Sequence, residues 1–307
     1  MRTFNIDFFG KRKLFLIISL AIIVVGLIFN VIFGTKLDVQ FAGGAVIKYS
    51  VDGEVDQEDM QALIKKTTGR DCSVATNQLI ATGENQITVT FAGNKALTLE
   101  EQTTIADTLT VEVPERTFEV VESSSVDPAM GSKFFAKCLV CFAITVVFLM
   151  VYIAFRFKKI GGLAAGATAI AALVHDVLMV YFAFVIFGMN INDIFIAVIL
   201  TIVGYSLNDT IVIYDRIREN ERLMPKAEIS EIINKSLNQT FARSVWTSVT
   251  TFLALLVVFI VATIYGLTTV QTFALPMMFG VISGCYSSLC IAAPLYGMWQ
   301  VKKAKKA

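Results

Sequence analysis

Six stretches of apolar residues decide what this chain can fold into, because about 20 apolar residues in helix are what a bilayer's hydrocarbon core requires. They run roughly from Leu14 to Phe33, Phe134 to Phe155, Gly161 to Phe187, Ile191 to Tyr214, Val245 to Ile264 and Thr272 to Met298. In lipid every backbone polar group must be satisfied within its own segment, so such stretches fold as helices. Composition agrees: 55% of residues are apolar and 17% charged, against roughly 45–50% and 25% in a soluble domain. Lys11, Arg12 and Lys13 before the first stretch look like the start of a signal peptide. Its apolar core is too long, however, and Phe33-Gly34-Thr35-Lys36 offers no small-residue cleavage pattern, so an uncleaved anchor is expected.

Basic residues in the short loops set the orientation. Arg2, Lys11, Arg12 and Lys13 precede span one, and Arg156, Lys158 and Lys159 separate spans two and three. Arg216, Arg218, Arg222, Lys226 and Lys235 lie between spans four and five, and Lys302, Lys303, Lys305 and Lys306 close the chain. The loops around 188–190 and 265–271 carry none. Both termini of this multi-pass chain are therefore expected in the cytoplasm, with the long insert after span one outside. The expected division is 1–34 (N-terminus and span one), 35–130 (outer domain), 131–299 (spans two to six, with a cytoplasmic amphipathic loop over 215–243) and 300–307 (basic tail). The formal net charge is +1, which gives no reason to expect nucleic acid as a partner. The bilayer itself is the expected surroundings.

The insert has an alternating texture. Val39, Phe41, Val46, Ile47, Tyr49 and Val51 read as a strand bent at Gly43-Gly44, and 56–68 as a helix with Met60, Leu63 and Ile64 on one face. Strands near 72–80 and 86–91 follow, joined by a turn at Thr82-Gly83-Glu84-Asn85. A second helix starts at Thr98, whose Thr98-Leu99-Glu100-Glu101 resembles a capping box, and a strand over 117–121 ends before Asp127-Pro128. The order β-α-β-β-α-β suggests a ferredoxin-like unit. The expected fold is thus an α-helical membrane protein with six transmembrane helices and a small α+β extracytoplasmic domain between the first and second. The insert has no glycine-rich phosphate loop and no nucleophile–base grouping, so an interaction or mechanical domain is expected rather than an enzyme, with a small structured spacer as the alternative, and no cofactor. With Cys72 as the insert's one cysteine, no disulfide is expected there. His175 is the chain's single histidine and no His-Glu-x-x-His occurs, so no metal site is expected.

Ionisable groups inside lipid cost about 2.5–3.5 kcal/mol on insertion scales and tend to mark ion pathways. Ser206, Asn208, Asp209 and Thr210 lie within one turn of span four, next to Gly204, which permits close approach of a neighbouring helix. Shielding from water favours the neutral form of a carboxyl group, and Asp209 is the candidate proton carrier; the alternative is a carboxylate simply hydrated, a turn or so from the cytoplasmic face. The same oxygens offer ligands to a sodium ion, so the coupling ion stays open. His175 and Asp176 lie near the middle of span three; neighbours at i and i+1 point apart, and a relay role and a packing role are both open. Arg243, at the start of span five, is placed to pair with Asp209 or to serve as an anchor. After span four, 215–222 extends the helix into water. Ile229, Ile232, Ile233, Leu237 and Phe241 then recur at helical spacing, which predicts an amphipathic helix along the inner surface.

The run from Gly204 to Asn220, Gly-Tyr-Ser-Leu-Asn-Asp-Thr-Ile-Val-Ile-Tyr-Asp-Arg-Ile-Arg-Glu-Asn, resembles the SecF family of protein-export membrane proteins. Leu37 to Gly44 is similar to that family's G-[IL]-D-F-x-G-G segment, loosened at Val39-Gln40. Val174-His175-Asp176, Asn238 to Ser244 and Phe279 to Ser288 match further family runs in order, so the likeness covers essentially the whole chain. It implies one six-span half of a resistance-nodulation-division fold. It also implies SecD, the Sec translocon channel and exported polypeptides as partners, with an ion gradient as the driving force. The family's proton-pathway aspartate falls on Asp209 and its essential arginine on Arg243; His175 and Asp176 match family positions. Two other functions are weighed against this one. Half of an exporter of small hydrophobic molecules is disfavoured by the single six-span half and small outer domain. A passive translocon scaffold is disfavoured by Asp209, since a scaffold gains nothing from a carboxylate in lipid.

Overall fold

The computed structural model describes residues 5–53, 55–78, 85–92, 98–114 and 116–304. Helix α1 (Arg12–Phe33) is the first span and stops at Gly34, whose φ of 71° lies in the left-handed region. The outer domain follows as α2 (Val39–Ala42), β1 (Gly44–Val51), α3 (Gln57–Thr68), β2 (Ser73–Gln78), β3 (Asn85–Ala92), α4 (Leu99–Glu112) and β4 (Phe118–Val126). Its strands form one sheet in the order β2-β3-β1-β4, antiparallel throughout, as the ferredoxin-like reading expects. Both helices are capped from the sequence. Asp56 accepts from the amides of Glu58 and Asp59 ahead of α3, and Thr98 and Glu101 form the expected capping box of α4. Ile47, Tyr49, Ile87, Val89 and Phe91 point from the sheet onto Met60, Ile64, Ile105 and Leu109 of the helices.

The first strand differs from expectation. Asp38 accepts from the Gln40 amide and winds Val39–Ala42 into a helical turn, which Gly43 ends at φ 82°. The strand therefore begins at Gly44 instead of Val39. The last strand is longer than 117–121 and runs on through Ser123, Ser124 and Ser125 to Val126. Thr82, Gly83 and Glu84 of the expected turn lie outside the described residues.

The remaining spans are α5 (Pro128–Arg156), α6 (Gly162–Ile186), α7 (Asp193–Leu223), α8 (Ile229–Ile264) and a sixth made of α9 (Thr268–Ser287), a π-helical turn (Ser288–Ala292) and α10 (Ala293–Ala304). Together with α1 they are long and apolar enough to cross a membrane. Spans three, four and six are the most buried and form the middle, while α1, α5 and α8 leave most of their apolar surface uncovered. Glycines set the closest approaches. A Cβ on Gly280 would sit 2.5 Å from Ile202 Cδ1, and one on Gly284 would sit 3.1 Å from Ser206 Cβ.

The expected surface helix before span five is not separate from it. Residues 229–264 form one continuous 36-residue helix, and the apolar face Ile232, Ile233 and Leu237 enters the bundle core instead of lying on the bilayer. Polar residues of the same segment hold the N-terminus. Asn238 accepts from the Ile6 amide and donates to the Ile6 carbonyl, both at 2.8 Å, and Asn234 accepts from the Phe9 amide at 2.8 Å.

The outer domain is fastened to three spans. Beyond α1, the Asp38 amide donates to the Ile191 carbonyl at 3.0 Å and the Ile191 amide to the Lys36 carbonyl at 2.8 Å. This clips the exit of span one to the loop between spans three and four. Phe41 packs on Phe134 and Phe135 of α5, with ring centroids 5.7 and 5.0 Å apart.

Candidate ion-handling site

Two membrane-embedded carboxyl groups have opposite surroundings. Asp176 of α6 is completely buried and saturated with donors. Ser206 Oγ of α7 and Ser287 Oγ of α9 donate to its Oδ2 at 2.6 and 2.7 Å, and Ser283 Oγ of α9 donates to Oδ1 at 2.5 Å. Three hydroxyls from two other spans thus converge on one carboxyl group. His175 Nδ1 lies 3.3 Å from Oδ1 and 3.3 Å from Ser283 Oγ. Adjacent positions were expected to point apart; here the two side chains meet, because the imidazole folds back toward the carboxylate. His175 Nε2 is buried without a hydrogen-bond partner, and the ring lies on Tyr286, centroid to centroid 5.9 Å.

Asp209, one turn along α7 from Ser206, is 5% exposed and its Oδ2 has no hydrogen-bond partner. Two groups of α8 bear on it. Ser244 lies within the carboxyl's reach, yet its buried Oγ closes no hydrogen bond. The Arg243 guanidinium acts on it through space without an ion pair, since the described ion pairs, drawn at 4.0 Å or less, do not include the two. The expected Asp209–Arg243 pair is therefore open: Arg243 is exposed and turns to a polar cavity of about 760 Å³ beside Arg222 and Gln239.

The other site residues divide between these two centres. Thr210 Oγ1 and Ser288 Oγ lie 2.8 Å apart and both donate to the Ser206 carbonyl, at 3.3 and 3.2 Å. They extend the polar ladder from Asp176 along α7 into the π-helical turn. One further turn on, Thr168 Oγ1 and Tyr214 OH meet at 2.8 Å. Asn208 is exposed and takes no part in the ladder. It shares a face of α7 with Gly204, where an added Cβ would meet nothing within 4 Å, so this face of span four is open to another helix. Ser206, Thr210, His175 and Asp176 thus form one network, with Asp209 beside it and Arg243 and Asn208 outside it.

Sequence reasoning gave no role to Ser283, Ser287, Ser288 or Tyr286. A signal was present, since Ser283 and Ser287 stand four apart in span six, on one helical face with Gly280 and Gly284 beside them. The π-helical turn, a feature frequent at functional sites, could not be read from residue spacing. Tyr286 also ties this centre to span one, its OH donating to the Phe15 carbonyl at 2.8 Å and meeting Ser19 Oγ at 3.1 Å. Cys138-Leu139-Val140-Cys141 has a Cys-x-x-Cys spacing within α5, but both thiols are free. Among the described residues no group of three or more acidic, His or Cys side chains is placed to hold a metal.

Residues 106–302 match the family described as protein export membrane protein SecD/SecF, C-terminal. The chain is 33% identical over 306 residues to the protein translocase subunit SecF of Petrotoga mobilis, covering 98% of each. It is 32% identical over 310 residues to the protein translocase subunit SecDF of Bacillus subtilis, covering 98% of this chain and 39% of that one. The crystal structure of SecDF from Thermus thermophilus, a translocon-associated membrane protein, superposes with a TM-score of 0.81 at 26% identity, covering 97% of this chain and 39% of that one. The chain thus spans about two-fifths of the SecDF chains it matches.

Proposed function

Since the chain belongs to the SecD/SecF family of protein-export membrane proteins, we propose that it is an auxiliary subunit of the Sec translocase. With a SecD partner it uses an ion gradient to promote late export of polypeptides across the bacterial cytoplasmic membrane. The observation that carries this reading is the contrast between the two carboxyl groups. Asp176 has every donor it needs and acts as a fixed hub for spans three, four and six. Asp209 keeps a buried oxygen free, so a proton can arrive there without first displacing another hydrogen bond.

The geometry supports the following sequence of events. An ionised Asp209 attracts Arg243 across the gap between α7 and α8, and a neutral Asp209 releases it. Because α8 is continuous from Ile229 to Ile264, a change at Arg243 moves the whole helix and the N-terminal segment it holds. The hub transmits the displacement to span six, and through Tyr286 to span one, which leads into the outer domain. One charge crossing the field supplies about 2.3 kcal/mol per 100 mV, so a few ions per cycle suffice to shift a packed domain. The open face of α7 at Gly204 and Asn208 is the surface we assign to SecD, and the basic loops favour an orientation with both termini in the cytoplasm.

The test is reconstitution of the chain with SecD and the Sec channel in vesicles carrying an imposed proton gradient. Asp209→Asn is expected to abolish gradient-dependent stimulation of late export while the complex still assembles. Stimulation equal to the parent's would reject Asp209 as the exchange site and leave the scaffold reading standing.

A further inference from the structure

We propose that the cavity between the end of α7 and the start of α8 binds the phosphate of an anionic phospholipid. The site shares Arg243 with the ion coupling proposed above, while Arg222 belongs to it alone. The cavity holds about 760 Å³ and its lining includes Arg216, Arg218, Arg222, Arg243, Asp215 and Glu219. Both acids are engaged: Glu219 by Arg216 at 2.6 Å, and Asp215 by Arg218 at 2.8 Å and Arg156 at 3.0 Å. Arg222 and Arg243 close no ion pair with described residues within 4.0 Å and remain exposed. Four guanidiniums against two carboxylates leave an excess of two positive charges on this lining. Two unengaged planar forks converging on one concavity suit a phosphate oxygen pair, which arginine binds in bidentate fashion.

The surroundings favour a phosphate attached to acyl chains. From Arg243 along α8, Trp246, Leu253 and Val257 recur at helical spacing and are 67%, 52% and 59% exposed. A charged end followed by an interfacial tryptophan and an apolar strip reproduces the profile of one lipid leaflet. Basic pockets between spanning helices on the cytoplasmic side hold anionic headgroups for the same reason.

The experiment uses the chain in complex with SecD, in phosphatidylcholine nanodiscs carrying a small fraction of spin-labelled phosphatidylglycerol. The parent is expected to immobilise phosphatidylglycerol in preference to labelled phosphatidylcholine. Arg222→Gln should weaken that preference about tenfold, the loss of one charge-assisted fork, and Arg222→Lys should keep part of it. Excess inorganic phosphate should fail to displace the labelled lipid. Full displacement would assign the site to a free anion and overturn the lipid reading. Equal immobilisation of the two lipids by the parent, or an unchanged preference in the Arg222→Gln/Arg243→Gln double variant, would overturn the proposal. So would binding seen only when SecD is absent, since the cavity would then belong to the partner.

Discussion

Asp176→Asn should destabilise the membrane bundle, whereas Asp209→Asn should not, although both remove one carboxyl from lipid. Asp176 receives three hydroxyls at 2.5–2.7 Å, from Ser206, Ser283 and Ser287 on two other spans. An asparagine keeps one acceptor oxygen and turns the other position into a donor facing hydroxyls that had been donating. Hydrogen bonds to charged groups contribute about 1.5–3 kcal/mol each in soluble proteins, while polar contacts across membrane helices average about 0.6 and reach about 1.7. Three such contacts at the membrane-helix values put the expected loss at about 2–4 kcal/mol. Asp209 Oδ2 has no donor to lose, so Asp209→Asn is expected to leave stability unchanged or raised. Equilibrium unfolding in mixed detergent micelles reads both, and a cycle with Ser287→Ala separates the hydrogen bond from the charge. Ser287→Ala should cost less in the Asp176→Asn background than in the parent. A loss for Asp176→Asn below about 0.5 kcal/mol, the range of an ordinary surface change, would refute the hub.

Gly284→Val should push span six off span four, because even a Cβ at this position meets Ser206 Cβ at 3.1 Å; the overpacking cost of about 1–3 kcal/mol is measurable as lowered thermal stability. In the outer domain, the Tyr49 hydroxyl is buried without a partner and burial pushes its ionisation up to about 12. Tyr49→Phe should therefore hold or raise the domain's stability by a few tenths of a kcal/mol to about 1, seen in amide exchange of β1. At the N-terminus, the Gly10 amide and then Asn234 hold the Asp7 carboxyl below the usual carboxylate value. A depressed folded value means the contribution is complete above an unfolded value of about 3.9 and is lost as pH falls through the folded one. Protection of the Gly10 amide should therefore disappear only in acid, and at all pH values in Asp7→Ala.

The spans were legible because bilayer thickness imposes a length and backbone hydrogen bonding imposes a helix, and both act on each segment alone. The same locality made the capping box at Thr98 readable, and the loop charges required only counting. Alternation gave the outer domain's β-α-β-β-α-β order, and the turn chemistry at Asp38 and Gly43 shortened the first strand by a cue that alternation does not carry. The fusion of residues 229–243 with span five was hidden, since an amphipathic face looks the same whether it rests on lipid or on Phe9 and the bundle core. The two carboxyl groups mark the boundary most clearly. Sequence placed Asp176 and Asp209 in lipid, where each demands an explanation. Only tertiary packing decided that Gly280 and Gly284 bring Ser283 and Ser287 of span six, more than a hundred positions away, onto Asp176. Nothing of that kind reaches Asp209 Oδ2. Hydrogen bonds between helices depend on where the backbones approach, and it is this approach that gave one carboxyl group a full set of donors and left the other an open oxygen.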